Sequence, residues 1–176
     1  MGEHGFTLWL TGLPGAGKST LARRVGDELD ARGRQVELLD GDEVRATLSK
    51  DLGFSRTDRE ANVERIAYVA RLLSRNGIAV VVAAIAPYRE LRHRIRSAQQ
   101  QPFCEVYLEC PLEELMRRDT KGLYAKAVRG DLLNFTGVSD PYEPPLAPDV
   151  HIRSDLESVE ESTIKVIAWL DREGLL

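Results

Sequence analysis

The chain reads as an α/β protein, a doubly wound sheet of five parallel strands with helices on both faces. Three features predict it. Short apolar runs alternate with amphipathic helical patterns from one end of the sequence to the other. The first run, Phe6-Thr7-Leu8-Trp9-Leu10, breaks into a glycine-rich turn and restarts as a helix. The run Ile78 to Ala84 is apolar throughout, as a strand buried on both faces of a parallel sheet must be. A length of 176 residues suits one domain, spanning 1–176, with a core large enough to be stable alone.

The turn is the most specific feature. Gly12-Leu13-Pro14-Gly15-Ala16-Gly17-Lys18-Ser19-Thr20 fits G-x-x-x-x-G-K-[ST] between a strand and a helix, the context that a phosphate-binding loop requires. This places the fold among P-loop NTPases, with a nucleotide-kinase-like sheet. Glycines at 12, 15 and 17 let main-chain N–H groups converge on an anion, and the helix starting near Lys18 adds the positive end of its dipole. Lys18 supplies a point charge to the β- and γ-phosphates, and the Ser19 hydroxyl is placed to ligate Mg²⁺. The expected ligand is therefore ATP with Mg²⁺.

The helix begun at Lys18 runs to Ala31 on Leu21, Val25 and Leu29, with Gly33 as its stop. A short strand, Val36 to Leu39, ends in Asp40-Gly41-Asp42. Ligands sit beyond the carboxyl ends of parallel strands, so both carboxylates are expected to face the phosphate loop. Asp42 reads either as the cap of a helix beginning near Glu43, or as the group that takes a proton from a substrate hydroxyl or holds Mg²⁺ water.

After a loop with an exposed Phe54, a helix starting at Thr57-Asp58 and running to Arg75 buries Val63, Ile66, Ala67, Ala70 and Leu73. It carries Arg59, Asn62 and Arg65 along one side, either as a solvated face or as a grip on a second anion. The apolar strand ends in Ile85-Ala86-Pro87-Tyr88-Arg89, with Pro87 in the first turn of the next helix. No aspartate closes that strand, which shifts the metal and base roles toward Asp40 and Asp42.

Phe103 to Cys110 forms a fourth strand, and Pro111 opens a short helix through Arg118-Asp119. Residues 120–148 are rich in Gly, Pro, Lys and Arg and only partly periodic, which reads as a lid or binding loop, the lid covering roughly 119–146. Val150 to Arg153 is a fifth strand. Leu156 to Leu170 is a closing helix with Val159, Ile164, Ile167 and Leu170 inward.

A formal net charge of −4 speaks against a broad nucleic-acid footprint. Cys104 and Cys110 lack metal-ligand spacing and read as reduced, partly buried thiols of a cytoplasmic protein. The opening MGEHG is too short and polar for a secretory signal, and no run approaches the ~20 apolar residues that span a bilayer. The residues themselves thus describe a soluble cytoplasmic P-loop kinase of small molecules, binding neither nucleic acid nor membrane.

Taken in order, GLPGAGKST, LDGDEVR, GFSRTDREAN, IAPYR, KGLYAKA and NFTGVSDPYEPP resemble the adenylylsulfate kinase family over nearly the whole chain. That family phosphorylates the ribose 3′-hydroxyl of adenosine 5′-phosphosulfate with MgATP. The resemblance implies that Asp42 activates this hydroxyl, that Lys18 and Lys121 are the other catalytic groups, and that Lys121 meets the transferred phosphoryl charge from the lid. Ser19 and Asp40 would hold the metal. Arg45, Arg59 and Asn62 resemble the residues that hold the phosphosulfate, for which planar guanidinium forks are suited. Phe54 and Phe135 look like the pair that sandwiches the adenine. Asp40, Gly41, Ile85, Ala86, Leu123 and Thr136 are similar to further substrate-site positions, and Leu123 and Tyr124 would help to close the lid.

The resemblance also implies a homodimer; ATP sulfurylase is a candidate functional partner, which the sequence itself does not establish. Ala86 stands where the family commonly has Ser, Glu64 where it often has Arg, and Ala84 where it often has an aromatic residue. A phosphoenzyme at position 86 is chemically excluded, and in-line transfer needs none. Two alternatives are a kinase of another small nucleotide or sugar, and an ATP-binding regulatory module without catalysis.

Overall fold

The computed structural model describes residues 4–119 and 121–176. Strands β1 (Phe6–Thr11), β2 (Val36–Asp40), β3 (Ala79–Ala83), β4 (Phe103–Glu109) and β5 (Val150–Arg153) form one sheet in the order β2-β3-β1-β4-β5. Every pairing is parallel. The helices are α1 (Lys18–Ala31), α2 (Gly41–Ala46), α3 (Arg56–Ser74), α4 (Arg89–Ser97), α5 (Leu112–Arg118), α6 (Leu123–Val128) and α7 (Val159–Arg172). The strand order reverses at β1, so the crevice beyond its carboxyl end is the topological switch point, where such sheets bind ligands.

β1 pairs on both edges, with Leu8 opposite Val81 on one side and Cys104 on the other, and all 6 of its residues are buried. Alternate side chains feed two cores. Phe6, Leu8 and Leu10 pack with Leu21, Val25 and Leu29 of α1 and with Val166 and Leu170 of α7. Trp9 packs on the opposite face with Ile66 and Ala70 of α3 and Leu91 and Ile95 of α4. β4 alternates because Cys104, Val106 and Leu108 enter the first core, while Glu105, Tyr107 and Glu109 stay half-buried.

The expected elements are present, with shifts that have local causes. α3 begins at Arg56 rather than at Thr57-Asp58, because the Ser55 hydroxyl accepts from the Asp58 N–H at 3.2 Å and caps the helix earlier. Pro87 precedes α4 instead of opening it, since Tyr88 is the capping residue. α2 is capped by Asp40, not by Asp42.

Within the segment expected to lack structure, Leu123–Val128 form α6; Thr120, also assigned to the lid, lies outside the described residues. Ile164, expected inward, is 67 % exposed, because the buried stripe of α7 runs through Thr163, Val166, Ile167 and Leu170. Both cysteines are free and buried. Among the described residues no helix is long and apolar enough to cross a membrane.

The two faces of α7 give a paired test. Leu170→Ala empties a fully buried site and should lower the unfolding free energy by about 2–5 kcal/mol in urea titration, whereas Ile164→Ala should change it by no more than about 0.5 kcal/mol.

Candidate functional site

The phosphate loop leaves β1 where there is no room for a side chain. A Cβ on Gly12 would lie 2.5 Å from the Leu108 carbonyl oxygen of β4. The loop closes at Gly17, whose φ of +98° only glycine adopts without strain, and which caps α1 with no side chain. The first-turn N–H groups of α1 are therefore left to an anion, and no acidic residue sits among them. Leu13 and Pro14 are half-buried, Ala16 is buried in the core, and Gly15 and Thr20 face solvent.

The Lys18 side chain folds back over this loop. Its Nζ donates to the carbonyls of Gly12 at 2.9 Å and Leu13 at 2.8 Å. Burial pushes its pKa down to about 8, outweighing the nearby Asp42 and Asp40 carboxylates, which favour the charged form.

At the end of β2, one carboxylate does two jobs. Asp40 Oδ1 accepts from the Asp42 N–H at 2.9 Å, and Oδ2 accepts from the Ser19 hydroxyl at 2.5 Å. Asp42 in turn pairs with Lys121 Nζ at 2.9 Å, with both side chains well exposed. That hydrogen bond, and the charge of Asp42, raise the Lys121 ammonium above its ordinary value. Ser19, Asp40, Asp42 and Lys121 thus form a continuous chain along the rim of the phosphate loop.

Its hydroxyl and carboxylate are hard oxygen donors of the kind that suit Mg²⁺, which takes only one or two protein ligands alongside phosphate and water oxygens. In keeping with so sparse a donor set, no group of three His, Cys, Asp or Glu among the described residues forms an all-protein metal cage.

Several of the remaining expected residues gather around α3 and the segment 133–140. Arg59 is buried; its Nε donates to the Phe54 carbonyl at 2.9 Å, and its terminal nitrogens donate to Thr136 Oγ1 and the Asn134 carbonyl. One guanidinium therefore ties the Phe54 segment to the Phe135 segment. Arg45 donates to the Gly53 carbonyl at 2.9 Å and lies 4.6 Å over the Phe54 ring.

Phe54 is 57 % exposed, but Phe135 is only 8 % exposed and meets Tyr124 edge-on at 5.0 Å. Asn62 is buried next to Arg59 on α3, and its amide oxygen finds no partner among the described residues. Arg65 does not join them: it turns outward to Asp51 at 2.6 Å.

Gly41 opens α2, Leu123 is half-buried on α6, and the Tyr124 hydroxyl donates to the Pro14 carbonyl of the phosphate loop at 2.7 Å. α6 is fixed by the Asp119 carboxylate, which accepts from the N–H groups of Tyr124 and Ala125 at 3.0 Å each. Ala86 is buried with a φ of +44°, and its carbonyl accepts from Arg92 at 2.6 Å. Asp119 and Arg92 escape a reading of the sequence. The one signal for Arg92 is a charge set between Leu91 and Ile95 on the apolar side of α4.

A switch-point crevice with an anion cradle on one side and a carboxylate–lysine pair on the other belongs to a P-loop kinase of small molecules. The family model described as adenylylsulphate kinase matches residues 4–153. The adenylyl-sulfate kinase of Chloroflexus aurantiacus is 54% identical over 170 residues, covering 97% of this chain and 91% of that protein. The solved Mycobacterium tuberculosis APS kinase CysC, in complex with AMPPNP and APS, aligns with a TM-score of 0.91 at 42% identity, over 96% of this chain and 98% of that one. A hexameric APS kinase from Thiobacillus denitrificans aligns with a TM-score of 0.75 at 36% identity, over 99% of this chain and 30% of that chain. The chain belongs to the adenylylsulphate kinase family and is an ATP-dependent kinase.

The buried lysine sets a pH dependence. In the free protein, burial of the charged Lys18 opposes folding below pH 8, where it is protonated in both states, and this cost is relieved as the pH rises toward 10.5. Phosphate oxygens favour the charged form, so binding of a non-hydrolysable ATP analogue near pH 9 should take up ~1 proton, with less uptake as the pH falls below 8. Calorimetry in buffers of different ionisation enthalpy measures this, and Lys18→Met should abolish it.

Proposed function

We propose that this chain transfers the γ-phosphoryl group of MgATP to the 3′-hydroxyl of adenosine 5′-phosphosulfate, yielding 3′-phosphoadenylylsulfate and ADP. One observation carries the reading: the two oxygens of Asp40 hold the Ser19 hydroxyl and the Asp42 main chain. A single carboxylate thereby sets the donor side and the acceptor side of the crevice relative to each other. Membership in the family supports the choice of acceptor.

In this reading the triphosphate lies along residues 12–20, held by main-chain N–H groups and by Lys18, which exchanges the carbonyls of Gly12 and Leu13 for phosphate oxygens. Ser19 and Asp40 would hold Mg²⁺, which supplies charge neutralisation at the β- and γ-phosphates. Asp42 takes the proton of the 3′-hydroxyl. Lys121 leaves Asp42 as the acceptor enters and meets the charge on the transferred group.

The exposed face of Phe54 stacks on the adenine, worth roughly 1–3 kcal/mol per base, with Arg45 packed on the ring and Phe135 as the far wall. Arg59, Asn62, Gly41, Ile85, Ala86 and Thr136 border the rest of the acceptor. The donors of Arg59 are engaged with Phe54, Asn134 and Thr136, so its approach to an anion goes with a shift of the lid over residues 119–146. Leu123 and Tyr124 close that lid and exclude water. The unit of function is residues 1–176 as one domain, in a cytoplasmic homodimer working beside an ATP sulfurylase.

A coupled ADP assay with adenylylsulfate, AMP, shikimate and gluconate as acceptors tests the identity, with turnover expected for adenylylsulfate alone. Preference for any other acceptor overturns it. Asp42→Asn should lower kcat by about 10²–10⁴-fold while binding of an ATP analogue is retained. Phe54→Ala should raise the KM for adenylylsulfate and leave that for ATP nearly unchanged; equal damage to both would make Phe54 a packing residue.

A further inference from the structure

Main-chain pairing between β1 and β3 extends to the Ala84 N–H, which donates to the Leu10 carbonyl at 3.3 Å. There the two chains part. β1 runs through Thr11 into the phosphate loop, and β3 runs through Ile85 into Ala86, whose positive φ is uncommon for a residue with a Cβ. Fully buried Thr11 spans the gap: its Oγ1 lies 2.5 Å from the Ile85 carbonyl and 2.9 Å from the Tyr142 hydroxyl.

Proton counting fixes the direction. The carbonyl can only accept, so the single threonine proton goes to Ile85, and Tyr142 must donate to Thr11. Burial raises the Tyr142 phenol above its ordinary value, which keeps that proton in place.

Tyr142 is itself held. Its ring stacks on Tyr107 at 6.1 Å and has the Arg92 guanidinium 5.6 Å from its centroid. Arg92, also buried, donates to the Ala86 carbonyl at 2.6 Å, to the Glu143 carbonyl at 2.5 Å and to Glu105 at 2.8 Å. The Glu143 N–H donates to the Pro87 carbonyl at 2.9 Å, and the Glu143 carboxylate accepts from the Arg89 N–H at 2.7 Å. Residues 142–143 thus strap the loop between β3 and α4 to the base of the phosphate loop.

We propose that Tyr142 and Thr11 are positioning residues: the Tyr142–Thr11–Ile85 relay holds the Ile85–Ala86 loop in register with the phosphate loop, and so couples nucleotide binding to the geometry of the acceptor site. This rests on the reading that Ile85 and Ala86 border the acceptor. Neither hydroxyl touches a substrate in this account. Their effect comes through the placement of one loop against the other, and displacement of reacting atoms by about 1 Å costs transfer on the order of 10²-fold.

Tyr142→Phe removes the donated proton and keeps the ring. Thr11→Val removes the relay hydroxyl at constant shape, and Thr11→Ser keeps it. Thr11→Val and Tyr142→Phe should each lower kcat/KM for adenylylsulfate about tenfold, and the double variant should lose little more than the worse single one, because both break the same relay. Thr11→Ser should stay within about twofold of the parent, and affinity for a non-hydrolysable ATP analogue should be nearly unchanged throughout.

Binding of that analogue should slow hydrogen–deuterium exchange over residues 84–88 in the parent protein but not in Thr11→Val or Tyr142→Phe. Multiplicative losses in the double variant, a change in thermal stability alone, or full protection of 84–88 in the variants would overturn the proposal. The exchange measurement needs no acceptor, so it decides the relay even if the parent protein fails to turn over adenylylsulfate, a result that would sink the acceptor assignment separately. Should Thr11→Val not fold, Tyr142→Phe at its half-buried position gives the same readings.

Discussion

The site is measured from the carboxyl end of β1, and that end cannot move. β1 has strands on both edges and a helical layer on both faces, and every residue in it is buried. Its last contact before the phosphate loop is so close that a methyl group at Gly12 would overlap the Leu108 carbonyl. A loop rooted in such a strand starts from a fixed position and direction. Its N–H groups are aimed before any ligand arrives, which is what stabilisation of a loose phosphoryl-transfer transition state demands.

The same crowding explains why the carboxylates stand on β2. β3 ends at Ala83 and is followed by Ala84, and the turn into α2 passes directly over them: a Cβ at Gly41 would lie 3.3 Å from the Ala83 carbonyl oxygen and 3.5 Å from the Ala84 Cβ. An aspartate side chain at Ala84, whose Cβ faces Gly41, would compete for the space that the β2 turn occupies. With small residues there, the turn comes down onto the sheet, and Asp40 reaches Ser19 across the start of α1.

How much of this the sequence reveals follows from the range of each interaction. Strands, the phosphate loop and the buried stripe of α3 are local patterns, and all three are legible. The assignment of the α2 cap is not, because Asp40 and Asp42 are both good capping residues and only the backbone conformation decides between them. α6 has 6 residues, too few to set up a periodicity, and it is fixed by Asp119, a residue outside the helix. Ile164 is one residue out of phase with the buried stripe of α7, a difference that apolar character cannot report. Arg92 is hidden in the basic run from Arg89 to Arg96, where its burial depends on partners 13 and 51 positions away.

The cations of the site share one property that joins its architecture to its chemistry. Lys18 rests on the Gly12 and Leu13 carbonyls, Arg59 on the Phe54 and Asn134 carbonyls, and Arg45 on the Gly53 carbonyl and the face of Phe54. These hydrogen-bond acceptors are neutral, so each cation is held in place without a carboxylate in direct hydrogen-bonding contact; the nearby anions are Asp140, 3.9 Å from Arg59, and the Asp40 and Asp42 carboxylates near Lys18. An incoming phosphate or sulfate replaces neutral acceptors with anionic ones, and charge-assisted hydrogen bonds are roughly twice as strong. Lys121 differs, because its partner Asp42 is anionic. That pair lies in solvent, where an ion pair contributes about 0–1 kcal/mol, so its separation opposes acceptor entry only weakly. Had the pair been buried, separating Asp42 from Lys121 would have been far more difficult. In the proposed mechanism, exposure of the carboxylate is therefore what would let one lysine serve first as its partner and then as the counter-charge to the moving phosphoryl group.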